Sequence, residues 1–146
     1  MDKIKWGIIG CGVIAPWHAD SVVDSEYAEL VAVCDIIEEK GKIFAEQYGD
    51  DVAFYKDYQA MLKEGGVDAV SICTPSGLHA EMTIAAAAAG IHVLCEKPMA
   101  ITVPQLNAMM AAVEKAGIKL EMIFQRRTYE TSKIVRDAVQ SGMLGQ

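Results

Sequence analysis

Residues 7–15 read GIIGCGVIA, and the way this stretch ends decides the fold. An apolar run of strand length, IKWGIIG (4–10), passes into Gly10-Cys11-Gly12-Val13-Ile14-Ala15, which has the spacing G-x-G-x-x-A between a strand and a helix. Gly10 permits a tight turn, Gly12 removes a Cβ that would block a diphosphate, and Ala15 lets the following helix pack close to the strand. The helix N-terminus then offers unpaired N–H groups and the positive end of its dipole to phosphates.

Five further strand-like runs follow: AELVAVCD (28–35), DVAF (51–54), VDAVSICT (67–74), GIHVLCE (90–96) and GIKLEMIF (117–124). The segments between them have helical spacing. Leu106, Met109, Met110 and Val113 share one face, Thr102 and Gln105 form a capping box ahead of them, and Gly117 stops the helix. Asp57 is placed to cap YQAMLKE, and the alanine-rich HAEMTIAAAAAG ends at Gly90. Apolar strands alternating with helices predict right-handed βαβ units: an α/β, doubly wound, mostly parallel sheet of Rossmann type with helices on both faces.

A glycine turn alone is a weak signal, so the next strand is the check. Asp35 ends it, 20 residues after Ala15. A carboxylate there accepts the hydroxyls of an adenosine ribose and repels a 2′-phosphate, and the next residues are Ile36 and Ile37 rather than Arg or Ser. NAD is the expected cofactor, with NADP less favoured. The competing reading of Asp35 is a plain N-cap for the helix in IIEEKGKIFAEQYG.

Composition narrows the rest. A formal charge of −7, with Arg126-Arg127 as the one adjacent arginine pair, argues against nucleic acid. No run approaches the ~20 apolar residues of a membrane span, and MDKIKWGIIG enters a strand without a signal-peptide region, so a cytoplasmic protein is expected. Cys11, Cys34, Cys73 and Cys95 lack C-x-x-C spacing and read as reduced core side chains, a thiol sensor being the weaker alternative; no metal site is expected.

Taken in order, GIIGCGVIA, AVCD, CTPSGLHAE and HVLCEKPMA resemble the Gfo/Idh/MocA oxidoreductases over nearly the whole chain. The resemblance implies a nucleotide domain over residues 1–124. It implies that 125–146, FQRRTYETSKIVRDAVQSGMLGQ from Phe124 onward, is a connecting segment and helix leading to a second αβ domain that is missing here. It further implies a cis bond before Pro98, contact of Lys97 with the reacting hydroxyl, and Thr74-Pro75 lying against the cofactor near the nicotinamide. His79 matches the family pattern beside the cofactor, although a helix-start histidine bonded to nearby backbone explains it equally well. Gln125 and Arg126 return to the same edge, where the alternative is solvated charge at a helix start.

Glu96-Lys97 follows the strand HVLC at the carboxyl edge of the sheet, where ligands of such folds bind. An ammonium beside a reacting hydroxyl stabilises the developing alkoxide, which makes Lys97 the candidate catalytic residue. Two roles are open to Glu96: contact with the nicotinamide side of the cofactor, or steadying Lys97. The candidate cofactor residues are therefore Gly10, Cys11, Gly12, Val13, Ile14, Asp35, Thr74, Pro75, His79, Glu96, Lys97, Gln125 and Arg126. His18 and His92 have no evident partners in the sequence and read as packing residues.

The expected activity is an NAD-dependent dehydrogenase acting on a sugar, cyclitol or related polyol. The family's acid–base residue, commonly a histidine helped by an acid, comes from the second domain, so this chain alone is expected to be catalytically incomplete. An apolar surface facing that domain suggests a homo-oligomer. The alternative from another class is a non-catalytic, NAD-responsive regulator.

Overall fold

The computed structural model describes residues 2–145. Six strands, β1 (Ile4–Ile9), β2 (Ala28–Cys34), β3 (Ala53–Tyr55), β4 (Ala69–Ile72), β5 (His92–Cys95) and β6 (Leu120–Met122), form one sheet in the order β3-β2-β1-β4-β5-β6. Every neighbouring pair is parallel. Between them run α1 (Ala15–Val23), α2 (Glu38–Tyr48), α3 (Tyr58–Glu64), α4 (His79–Ala88) and α5 (Val103–Ala116), with α6 (Glu130–Gln140) following β6.

The predicted boundaries hold where local chemistry sets them. Asp57 accepts the Gln59 amide at 2.9 Å, Thr102 accepts the Gln105 amide at 3.3 Å, and Gly117 takes a left-handed φ of 67° after α5. In the capping box the reciprocal bond differs: the Thr102 hydroxyl donates to the Gln105 side chain at 3.1 Å.

Strand alternation sends side chains into two cores. On one face Ile9, Val70, Ile72 and Val93 pack against Met61, Ala86 and Met109 of α3, α4 and α5. On the other, Ile8, Val33 and Leu30 pack against Ala15, Ala19 and Phe44 of α1 and α2. This second layer covers the β1–β3 half of the sheet. Over the β4–β6 half, a cavity of about 530 Å³ opens beside Trp6, Ser71, Leu94 and Ile123. α6 exposes Ile134, Val135 and Val139 and buries no residue.

All six parallel strands end at one edge. The backbone ladder carries one residue past the strands: Gly10 donates to Cys34, Asp35 to Tyr55, Cys73 to Ile9, Glu96 to Ile72 and Ile123 to Cys95. That registry gathers the candidate site.

Candidate dinucleotide site

Gly10 carries a φ of +93°, and a Cβ placed there would lie 3.0 Å from the Cys73 carbonyl and from Thr74 Cγ2. Only glycine closes this turn without strain. Gly12 differs: a Cβ on it would meet nothing within 4 Å, so its smallness serves space outside the protein rather than packing inside it. Among the described residues, the amides of Gly12, Val13 and Ile14 have no partner, whereas Ala15 donates to Gly12. Three free N–H groups at a helix start, beside open space, fit the diphosphate of a dinucleotide.

The Cys11 amide is not part of that set. It donates to Asp35 Oδ2 at 2.9 Å, and the Cys11 side chain is buried, so Cys11, one of the candidate cofactor residues, has its amide engaged within the protein. Asp35 Oδ1 accepts the Ile37 amide at 2.9 Å, and Lys40 Nζ stands 3.4 Å from Oδ2. Asp35 is not the N-cap of α2, since that position belongs to Ile37 and carries no side-chain bond. A carboxylate has about four lone-pair positions, so two amides leave it room to accept ribose hydroxyls. Val13, Ile36 and Ile37 are exposed around this acid and turn, an apolar rim such as an adenine base requires.

At the other end of the edge, Thr74 is half-buried and Pro75 exposed at the turn after β4. His79, expected beside the cofactor, is 1% exposed, with Nδ1 2.7 Å from the Pro98 carbonyl and Nε2 2.8 Å from the Thr74 carbonyl. Both ring nitrogens therefore face backbone carbonyls, of which a neutral imidazole can donate to one, and the ring lies between the β4 turn and the turn after β5. The Lys97-Pro98 bond is cis. Lys97 is exposed and, among the described residues, its ammonium has no carboxylate within 4.0 Å. Gln125 and Arg126 lie exposed in a 3-10 turn directly after β6, at the same edge, while Arg127 stacks on the Phe124 ring at 4.8 Å.

Two of the histidines depart from expectation. His92 is exposed, and its Nδ1 accepts the Lys119 amide at 3.0 Å, so it ties β5 to β6 rather than filling a core. His18 is buried, as its apolar neighbourhood implies, but it is partnered: Nε2 lies 3.1 Å from Glu96 Oε1 and Nδ1 lies 3.0 Å from Ser71 Oγ. Those partners sit 78 and 53 residues away, so spacing could not reveal them. Glu96, 6% exposed, also accepts the Lys97 amide on Oε2 at 3.2 Å.

The four cysteines are free and buried beneath this edge. Burial, reinforced by the Asp35 carboxylate, pushes the thiols of Cys11 and Cys34 up to about 12. Burial does the same to Cys95, at about 12, and drives Cys73 higher still with Glu96 adding to the effect. They are un-ionised packing groups.

The model of an oxidoreductase family with an NAD-binding Rossmann fold matches residues 4–124. The chain is 34% identical over 143 residues to myo-inositol 2-dehydrogenase of Thermotoga maritima, covering 98% of this chain and 42% of that protein. It is 38% identical over 144 residues to D-glucoside 3-dehydrogenase of Escherichia coli, covering 98% and 41%. Among solved structures, the WlbA dehydrogenase of Bordetella pertussis, in complex with NADH and UDP-GlcNAcA, superposes with a TM-score of 0.89 at 36% identity, covering 99% of this chain and 44% of that one. The chain thus spans about two fifths of the length of the relatives it matches.

Proposed function

This chain belongs to the Gfo/Idh/MocA family of oxidoreductases, and we propose that it is the NAD-binding part of a dehydrogenase that moves a hydride between nicotinamide and a carbon of a sugar, cyclitol or related polyol. Relatives named for an inositol and a glucoside support that substrate class. The observation that carries the reading is the unpaired ammonium of Lys97 at the same strand edge as the free amides of the glycine turn and the Asp35 carboxylate.

When bound, NAD supplies the hydride acceptor or donor. The amides of Gly12, Val13 and Ile14 hold the diphosphate, and Asp35 accepts the ribose hydroxyls. Thr74 and Pro75 wall the nicotinamide side. Lys97 donates a charge-assisted hydrogen bond to the substrate hydroxyl and stabilises the alkoxide as its proton leaves. Gln125 and Arg126 line the substrate side of the edge. The acid–base group that takes that proton is assigned to the part of the relatives' length that this chain does not span, and the 146 residues alone are expected to bind dinucleotide with little or no turnover.

Calorimetric titration with NAD, NADP and ATP tests this. The expected result is binding of NAD in preference to the other two. Equal affinity for ATP would reduce the site to a general nucleotide scaffold, and undiminished turnover by Lys97→Ala in the full-length protein would favour an NAD-responsive regulator.

A further inference from the structure

Lys97 stands between two residues that are each held by a buried histidine, one from each helical layer. On the α1 side, His18 reaches Glu96 at 3.1 Å, and on the α4 side, His79 reaches the Pro98 carbonyl at 2.7 Å. The two rings are 7% and 1% exposed. Each also contacts β4 or its turn, His18 through Ser71 Oγ at 3.0 Å and His79 through the Thr74 carbonyl at 2.8 Å. Carbonyls only accept, so His79 donates to both Pro98 and Thr74 when both its nitrogens carry a proton and to one of them when neutral.

Donor and acceptor chemistry orders the His18 side without ambiguity at its ends. The Trp6 indole can only donate, and it donates to Ser71 Oγ at 2.9 Å. The Glu96 carboxylate only accepts, receiving His18 Nε2–H on one oxygen and the Lys97 amide on the other. Ser71, having accepted from Trp6, has its own proton free for His18 Nδ1. With the His18 proton on Nε2, the Trp6 indole, the Ser71 hydroxyl, both His18 ring nitrogens and the Lys97 amide each have a partner.

Packing does not enforce this arrangement by itself. Trp6, Ser71, His18 and Glu96 all border the cavity of about 530 Å³ over the half of the sheet that α1 and α2 leave uncovered. A Glu96 carboxylate released by His18 would have space to swing and hydrate, taking the Lys97 amide with it. A buried carboxylate that loses a donor bears the desolvation penalty in full until it moves.

We infer that His18 and His79 are positioning residues forming a clamp that fixes the backbone on either side of Lys97 and so aims its ammonium. The inference rests on the role proposed above for Lys97, but its test does not. In the cofactor-free chain, amide hydrogen exchange read by NMR compares Lys97 with the β4 amides Val70 and Ile72. His18→Leu should accelerate exchange at Lys97 about tenfold, the loss of one charge-assisted bond, while β4 stays protected. His18→Gln, whose amide can still donate to Glu96, should restore protection.

Ser71→Ala breaks the same file one step earlier without introducing bulk and should give a smaller rise at Lys97, which keeps the test valid if His18→Leu does not fold. Unchanged Lys97 exchange in both variants would overturn the clamp, as would an equal rise at Val70 and Ile72 with no rescue by glutamine. Failure of the chain to bind NAD would sink the hydride-transfer reading and leave this measurement unaffected. In the full-length protein the clamp predicts a fall in kcat for His18→Leu with the KM for NAD unchanged, because both His18 ring nitrogens engage Ser71 and Glu96 rather than the dinucleotide turn.

Discussion

Asp35 accepts the backbone amide of Cys11 at 2.9 Å, so the acid that ends β2 is bonded directly to the glycine turn that ends β1. The carboxylate shapes the turn, and in the proposed site it would also discriminate the ribose. Asp35→Ala should therefore lower stability, because the Cys11 and Ile37 amides lose their acceptor at a cost of about 1–3 kcal/mol. It should also erase the preference for NAD. Lys40, 3.4 Å from the same carboxylate, would then face the ribose site unneutralised, so NADP affinity should rise. Calorimetry on Asp35→Ala and on the double variant with Lys40→Ala checks this, since the gain in NADP binding should vanish in the double.

Among the described residues the Lys97 ammonium has no carboxylate within 4.0 Å. Lys97→Ala should leave NAD affinity and thermal stability unchanged while turnover of the full-length protein falls about 10²–10³-fold, the usual effect of removing one donor from a developing oxyanion. Lys97→Arg should recover little, because a planar guanidinium does not present the same point charge to one oxygen. Steady-state kinetics alongside NAD titration separates the two effects.

The thiols set a pH dependence whose sign follows from their direction of shift. Cys11, Cys34 and Cys95 rise from an ordinary 9.0 to about 12, so the folded state holds protons that the unfolded state releases. Their contribution to stability is complete below about pH 9 and is lost as pH climbs towards 12. Denaturant melts should show stability falling across that window, and less steeply in Cys34→Ala. At pH 8 the native chain should resist a thiol-reactive dye that labels all four cysteines in guanidinium.

Features encoded within a few residues are legible in the amino-acid sequence itself: the six strands, the caps at Asp57 and Thr102, the turn at Gly10 and the acid at Asp35. What escapes such a reading depends on contacts made by the sheet as a whole. His18 has no partner legible along the chain because Ser71 and Glu96 reach it only once β4 and β5 are aligned beside α1. Gly41 sits inside α2 for a reason invisible in its neighbourhood: a Cβ there would come 2.1 Å from the Phe54 ring, which fills the place of a side chain. His79 fits either role by its position in the sequence, and its contacts with the Thr74 and Pro98 carbonyls, 5 and 19 residues away, emerge only in the fold.

The two glycines of the first turn give the sharpest separation of folding from binding. Gly10 needs its positive φ, and an added Cβ would stand 3.0 Å from Cys73 backbone and Thr74 Cγ2. Gly10→Ala should therefore cost about 1–3 kcal/mol and lower the Tm by several degrees. Gly12 meets no protein atom within 4 Å of an added Cβ, so Gly12→Ala should fold with a change of no more than about 0.5 kcal/mol. Its methyl would instead occupy the approach of the diphosphate to the free amides, and NAD affinity should fall about 10–100-fold by crowding of that contact. Thermal melts and titrations on both variants check the pair. An NAD affinity untouched by Gly12→Ala would place the diphosphate somewhere other than this turn.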